Sequence, residues 1–211
     1  MELLELNESN LEQCVERMCR GVLAGELMIF PTDPVYGLGG AAFSQTVLDK
    51  LLAIKPDRTA KPTAILIDNI IRMSRLAGDV PGPRIVALAE TYWPGPLTMV
   101  WHVGQAIPEK YRGADKSLGY RIPNSEFLLR VMKETERPLW ATSANMPGQP
   151  APRLFAEIAP ELIQKCDLVI KARALLTGKS SAVVDVRGRE PVVVRENAIP
   201  AQDIHRIWKR G

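Results

Sequence analysis

Polar residues of this chain gather at the ends of short apolar runs. Thr32, Asp33 and Tyr36 follow one such run, Thr142, Ser143 and Asn145 follow another, Ser180 and Ser181 border a third, and Lys55, Arg58 and Lys61 form a cationic group. In an open α/β sheet, strand ends on one edge converge on a single crevice. A crevice of this composition would offset polyphosphate charge with lysine and arginine. It would orient a small polar ligand, or a hydrated cation, with hydroxyl and amide oxygens. Arg121 sits inside an otherwise apolar run. A charge on the inner face of a strand needs a partner, and residue types alone allow either an anionic ligand or an internal carboxylate. Plainer roles exist for the rest: Lys55, Arg58 and Lys61 as a solvated loop, and Ser143 and Asn145 as a cap or turn.

Several reactive classes are excluded by spacing. The chain has no Gly-x-x-x-x-Gly-Lys-Ser/Thr phosphate loop, and Gly37, Gly39 and Gly40 lack the spacing of a dinucleotide fingerprint. Ser143 is not in a Gly-x-Ser-x-Gly elbow and has no histidine placed as its base. His102 and His205 stand alone, so no metal site is expected from protein side chains by themselves. Cys14, Cys19 and Cys166 are odd in number and lack ligand spacing, which fits reduced core thiols.

The elements that must hold these groups alternate. Helical spacing covers 11–22, with Ser9 and Glu12 placed as a capping box and Gly25 at the end. A buried strand is expected at 27–30, leading into the stretch Pro31 to Gly40, which reads as either a turn or a ligand edge. Ser44 caps a second helix, a strand follows at 64–67, and short helices lie near 70–76 and after Pro83. Further strands are expected at 97–103, 118–122, 139–142, 168–170, 182–186 and 192–195, with helices from Ser125, over 154–165 and near 203–208. This alternation predicts an α/β fold with a mixed sheet, antiparallel toward the carboxyl end, in one domain over 1–211. Apolar residues at 46% and charged residues at 24% fit an ordinary globular chain. No run is long enough to span a bilayer and no secretory signal is visible, so the expected compartment is the cytoplasm, away from membranes. The net charge of +3 permits contact with nucleic acid or nucleotide phosphates without requiring it.

The ordered motifs resemble the YrdC/TsaC family, the threonylcarbamoyl-AMP synthases. They are Pro-Thr-Asp-x-Val-Tyr-Gly-Leu-Gly from Pro31, the Lys/Arg segment from Lys55 to Pro62, Trp-Pro-Gly-Pro-Leu-Thr from Trp93, and Arg-x-Pro from Arg121. Ser-Ala-Asn from Ser143, Ser-x-Val-Val-Asp from Ser181 and the closing Arg195 complete the set. The resemblance implies a YrdC-like twisted mixed sheet with flanking helices around a basic concave cavity, in the short single-domain form. It implies condensation of L-threonine, bicarbonate and ATP to threonylcarbamoyl-AMP and pyrophosphate, with magnesium entering with ATP. Partner threonylcarbamoyl-transferase proteins would then modify tRNA.

Carried over by position, the resemblance puts Thr32, Tyr36, Arg121, Thr142 and Ser181 at L-threonine. It puts Lys55, Arg58, Ser117, Ser143, Asn145 and Arg195 at ATP, with Lys55 and Arg58 as the catalytic cations. The chain departs from the family where Asp57 and Arg58 exchange places relative to the usual Lys-x-Arg, and at Pro34, Ala182 and Asn197. Those departures leave a second expectation, a YciO-like paralogue that binds tRNA or double-stranded RNA with weak or no synthase activity.

Overall fold

The computed structural model describes residues 1–56, 64–112, 115–172, 176 and 178–211. Arg58, together with Asp57, Lys61 and Pro62, lies outside the described residues. One ten-stranded mixed sheet organises the rest, in the order β1-β8-β2-β3-β7-β4-β6-β5-β9-β10. Its strands are β1 (Glu2–Leu6), β2 (Met28–Pro31), β3 (Tyr36–Ala41), β4 (Ala64–Leu66), β5 (Leu97–His102), β6 (Ser117–Arg121), β7 (Leu139–Ser143), β8 (Leu168–Ala172), β9 (Ala182–Asp185) and β10 (Val192–Arg195). The helices are α1 (Leu11–Ala24), α2 (Gln45–Ile54), α3 (Ile70–Ala77), α4 (Pro83–Tyr92), α5 (Glu126–Thr135), α6 (Pro160–Gln164) and α7 (Ala201–Trp208).

Side chains alternate across the sheet, so each strand feeds two layers. Ile29, Leu38, Ile65, Met99, Leu118, Tyr120 and Val184 enter a core closed by α2, α3, α4, α6 and α7. Met28, Phe30, Leu66, Leu139, Leu168 and Ile170 enter a second core under α1 and α5. These two helices cover only part of their face. Beyond them the same face carries Ala64, Gly119, Thr98, Val100 and Val183, which border open space instead of a helix. Partial cover of one sheet face is what makes the cavity.

Local chemistry sets the helix ends. Ser44, Asn69 and Ser125 each accept a backbone N–H of the first turn, as good N-caps do. The capping box expected at Ser9 and Glu12 is not formed. Asn10 is the N-cap, the Ser9 hydroxyl bonds Asn7 Oδ1 at 2.6 Å, and Glu12 is drawn instead to Arg130 of α5 at 2.7 Å. The helix expected over 154–165 is two short pieces, a 3-10 turn at Phe155–Glu157 and α6, because Pro160 restarts the helix at its first turn. At the far edge, Arg187 bridges Asp185 at 2.5 Å and Asp115 at 2.7 Å, tying the loop before β6 to the end of β9.

The Pro31–Gly40 stretch is a hairpin. β2 and β3 pair antiparallel, and Thr32 closes the turn with its N–H on the Val35 carbonyl at 3.1 Å. The glycines of β3 permit close approach: a Cβ on Gly39 would stand 1.8 Å from the Trp140 carbonyl oxygen of β7.

Candidate active site

The open part of the sheet face forms a cavity of about 760 Å³, a size ordinary for small-molecule sites. The walls come from the β2–β3 hairpin, the ends of β6, β7 and β10, and the residues just before β9. Thr32, Tyr36, Lys55, Arg121, Thr142, Ser143, Asn145, Ser181 and Arg195, the described residues expected here except Ser117, all line it.

Lys55 follows α2 directly and is 5% exposed. Its ammonium donates to the Ser143 carbonyl at 2.6 Å and to Asn145 Oδ1 at 3.0 Å. The Ser143 hydroxyl also donates to Asn145 Oδ1, at 2.5 Å, and Asn145 Nδ2 donates to the Gln149 carbonyl. Ser143 and Asn145 therefore do more than turn the chain. They hold a buried cation at the end of β7, and the solvated-loop reading of Lys55 is set aside.

Arg121 has an internal partner. It forms an ion pair with Asp33, and its Nε donates to the Gly95 carbonyl at 3.0 Å. Burial pulls its pKa down from the usual arginine range; Asp33 opposes that shift and the positive charge of Arg195 adds to it. Burial likewise lowers the pKa of Arg195. Two partly desolvated guanidinium groups facing one cavity favour an anion there.

The hydroxyl groups differ in what they can still do. Thr32 Oγ1 donates to the Val35 carbonyl at 2.6 Å, leaving its lone pairs for a ligand. Thr142 Oγ1 is buried with no hydrogen-bond partner among the described residues, a state that a polar ligand would relieve. Ser181 Oγ lies 2.9 Å from Thr98 Oγ1 and accepts from Arg195 Nη2 at 3.3 Å. Tyr36 borders the cavity, yet its hydroxyl is engaged by β8, accepting from the Ala172 N–H at 2.8 Å. Tyr36 is fully buried and belongs to the helix-covered core. Ser117 shares a strand face with Gly119 and Arg121 but is fully buried and donates to Asp115 Oδ1 at 2.6 Å, outside the cavity lining.

The departures at 34 and 182 take different sides. Pro34 lines the cavity, and its carbonyl accepts from the Gly178 N–H at 2.7 Å, anchoring the segment ahead of Ser180. Ala182 points into the helix-covered core, so its change does not touch the cavity. Sequence reasoning did not single out Thr98. Its signal was available, since it lies two residues from Val100 on the strand face opposite Leu97, Met99 and Trp101.

Among the described residues no three His, Cys, Asp or Glu side chains converge as a metal site. The described residues that line the cavity include no carboxylate.

Comparison with known proteins gives the family. The Sua5/YciO/YrdC family model, described as "Telomere recombination", matches residues 22–197. A curated threonylcarbamoyl-AMP synthase of Pyrococcus abyssi is 29% identical over 198 residues, covering 93% of this chain and 58% of that protein. This chain therefore spans little more than half of that relative. The threonylcarbamoyl-AMP synthase of Pseudomonas fluorescens strain Pf-5 is 32% identical over 156 residues, covering 74% of this chain and 83% of that protein. A crystal structure of P. abyssi Sua5 complexed with L-threonine superposes with a TM-score of 0.87 at 27% identity, over 98% of this chain and 60% of that one. Escherichia coli YciO shares the fold, with a TM-score of 0.83 at 20% identity over 96% of this chain and 98% of its own.

Proposed function

The chain belongs to the Sua5/YciO/YrdC family, and from that premise we propose that it is an L-threonylcarbamoyladenylate synthase. The observation that carries this reading is the convergence of Lys55, Arg121 and Arg195 with the hydroxyls of Thr32, Thr142 and Ser181 around one cavity. The similarity to a Sua5 crystallised with L-threonine supports it.

In this reading the threonine amine adds to the carbon of bicarbonate with loss of water, giving a carbamate. A carbamate oxygen then attacks the α-phosphorus of ATP. The bond to the β-phosphate oxygen breaks, and pyrophosphate leaves with the electron pair. Negative charge builds up on the phosphoryl oxygens as this happens, and fixed cations aimed at that charge are the main service a protein can supply. Lys55, held by Ser143 and Asn145, is such a cation. Arg121, fixed by Asp33 and Gly95, would receive the threonine carboxylate. The Thr142 hydroxyl, without a partner among the described residues, suits a substrate polar group. Magnesium would enter with the triphosphate and supply further charge compensation. We assign Arg58 to the same phosphate contacts on family resemblance. The product would pass to threonylcarbamoyl-transferase proteins acting on tRNA, and the protein would work in the cytoplasm; among the described residues no helix is long and apolar enough to cross a membrane.

The test is pyrophosphate release from the purified protein supplied with ATP, L-threonine, bicarbonate and magnesium. Release that needs threonine is expected. Equal release with and without threonine, or none at all, overturns the reading.

A further inference from the structure

Thr98 of β5 carries no role in the assignments above, yet it sits inside the cavity wall at 4% exposure with a hydroxyl directed at Ser181. Ser181 is a junction. Its carbonyl accepts from Arg195 Nε at 3.0 Å, its Oγ accepts from Arg195 Nη2 at 3.3 Å, and the same Oγ lies 2.9 Å from Thr98 Oγ1. A serine hydroxyl has one proton and two lone pairs. An arginine can only donate, so Arg195 takes one lone pair.

Two arrangements satisfy the Thr98–Ser181 contact. If Thr98 donates, both Ser181 lone pairs are used and the Ser181 proton turns outward. If Ser181 donates, the Thr98 proton is the one left over. In either case one O–H donor is left over on a residue of the cavity lining, close to the guanidinium of Arg195. That combination suits an anionic oxygen, as on a phosphate or carboxylate. Without the Thr98 hydroxyl, Ser181 would lose the bond that fixes its hydroxyl from the β5 side, and the acceptor of Arg195 Nη2 would lose its anchor.

We propose that Thr98 is a positioning residue for anion binding: through Ser181 it fixes the Arg195 guanidinium at the wall that receives the nucleotide phosphates. This rests on the ATP assignment made above, and the test is chosen to separate the two. ATP binding is measured by calorimetry without threonine, so no turnover is needed.

Thr98→Val keeps the side-chain shape and removes the hydroxyl. It is expected to raise the ATP dissociation constant about tenfold, the effect of a lost hydrogen bond next to a charged group, with little change in the thermal midpoint. Thr98→Ser should restore binding. On a Ser181→Ala background, Thr98→Val should add less than about twofold, because both changes break the same chain. Thr98→Ala serves the same comparison if valine disturbs β5. ATP affinity of Thr98→Val within about twofold of the parent overturns the proposal, as do additive effects in the double variant. A protein that binds ATP in the expected pattern but releases no threonine-dependent pyrophosphate sinks the synthase reading and leaves this one standing. An active synthase with Thr98-independent ATP binding does the reverse.

Discussion

The ammonium of Lys55 lies 2.6 Å from the carbonyl oxygen of Ser143, which joins the end of α2 to the end of β7 across the cavity. A buried ammonium needs hydrogen-bond acceptors, and the Ser143 carbonyl and Asn145 Oδ1 supply two of them. Removing its charge while keeping its length, as in Lys55→Met, should lower threonine-dependent pyrophosphate release at least about 100-fold. Steady-state kinetics checks this, with circular dichroism to establish that the variant is folded.

Asp33 and Arg121 form a pair whose side chains are 14% and 7% exposed. Breaking one half of a buried pair leaves the other half without a counter-charge. Asp33→Asn should therefore lower the unfolding free energy by about 3 kcal/mol, measured by urea denaturation. Replacing both, as in Asp33→Asn with Arg121→Met, should recover part of that loss while abolishing L-threonine binding.

Thr142 should trade stability against binding. Its buried hydroxyl has no partner among the described residues, so Thr142→Val removes an unsatisfied group. The expected result is a gain of about 1 kcal/mol in stability together with weaker L-threonine binding by calorimetry. A variant that lost both would mean the hydroxyl is satisfied in the free protein.

None of the three thiols is poised to react. Burial pushes Cys166 up to about 12 and Cys19 up to about 11, with Glu134 adding to the shift at Cys19, and burial also raises Cys14. At about pH 8 the native protein should resist iodoacetamide and become alkylated only on unfolding. Mass spectrometry of native and urea-treated samples distinguishes the two.

The Arg187 bridge predicts a response to acid. Hydrogen bonding from Arg187 holds the Asp185 carboxyl below its usual range; Asp115 is lowered first by the Ser117 hydroxyl and then by Arg187. A carboxyl whose pKa is depressed by folding adds stability above its unfolded value, near pH 4, and loses that contribution as pH falls through the folded value. Asp185→Asn should therefore melt earlier than the parent at about pH 6, and the difference should shrink as pH falls through the depressed folded value. A gap that stayed constant across that range would exclude this linkage.

Much of the site was legible because the residues that build it are polar types at strand ends, where α/β sheets expose them. Thr32, Lys55, Arg121, Ser143 and Arg195 could all be named before any coordinates. The choice of partner for Arg121 could not, since Asp33 and Arg121 are distant in sequence and meet only when β2 and β6 share a sheet. Strand β3 was hidden by its glycines, which carry no β-propensity and have a structural reason only once β7 is beside them. Strand β1 was hidden differently: Glu2 and Glu5 leave it half polar at the sheet edge, where pairing with β8 decides the outcome. Ser117 was placed at ATP by family resemblance alone, and nothing in the sequence signalled that the nearby Asp115 carboxylate would accept from its hydroxyl.

Cavity and core share strands β4, β5, β6 and β9, with Thr98 and Val100 on one side and Met99 and Trp101 on the other. A one-residue deletion inside any of these strands would exchange the two sets beyond it; in β5 it would exchange the places of Thr98 and Met99. Length variation among descendants of this chain should therefore be confined to the connecting segments, while the strand lengths stay constant. A library of single-codon deletions scored for soluble expression should map as intolerant blocks coinciding with those four strands.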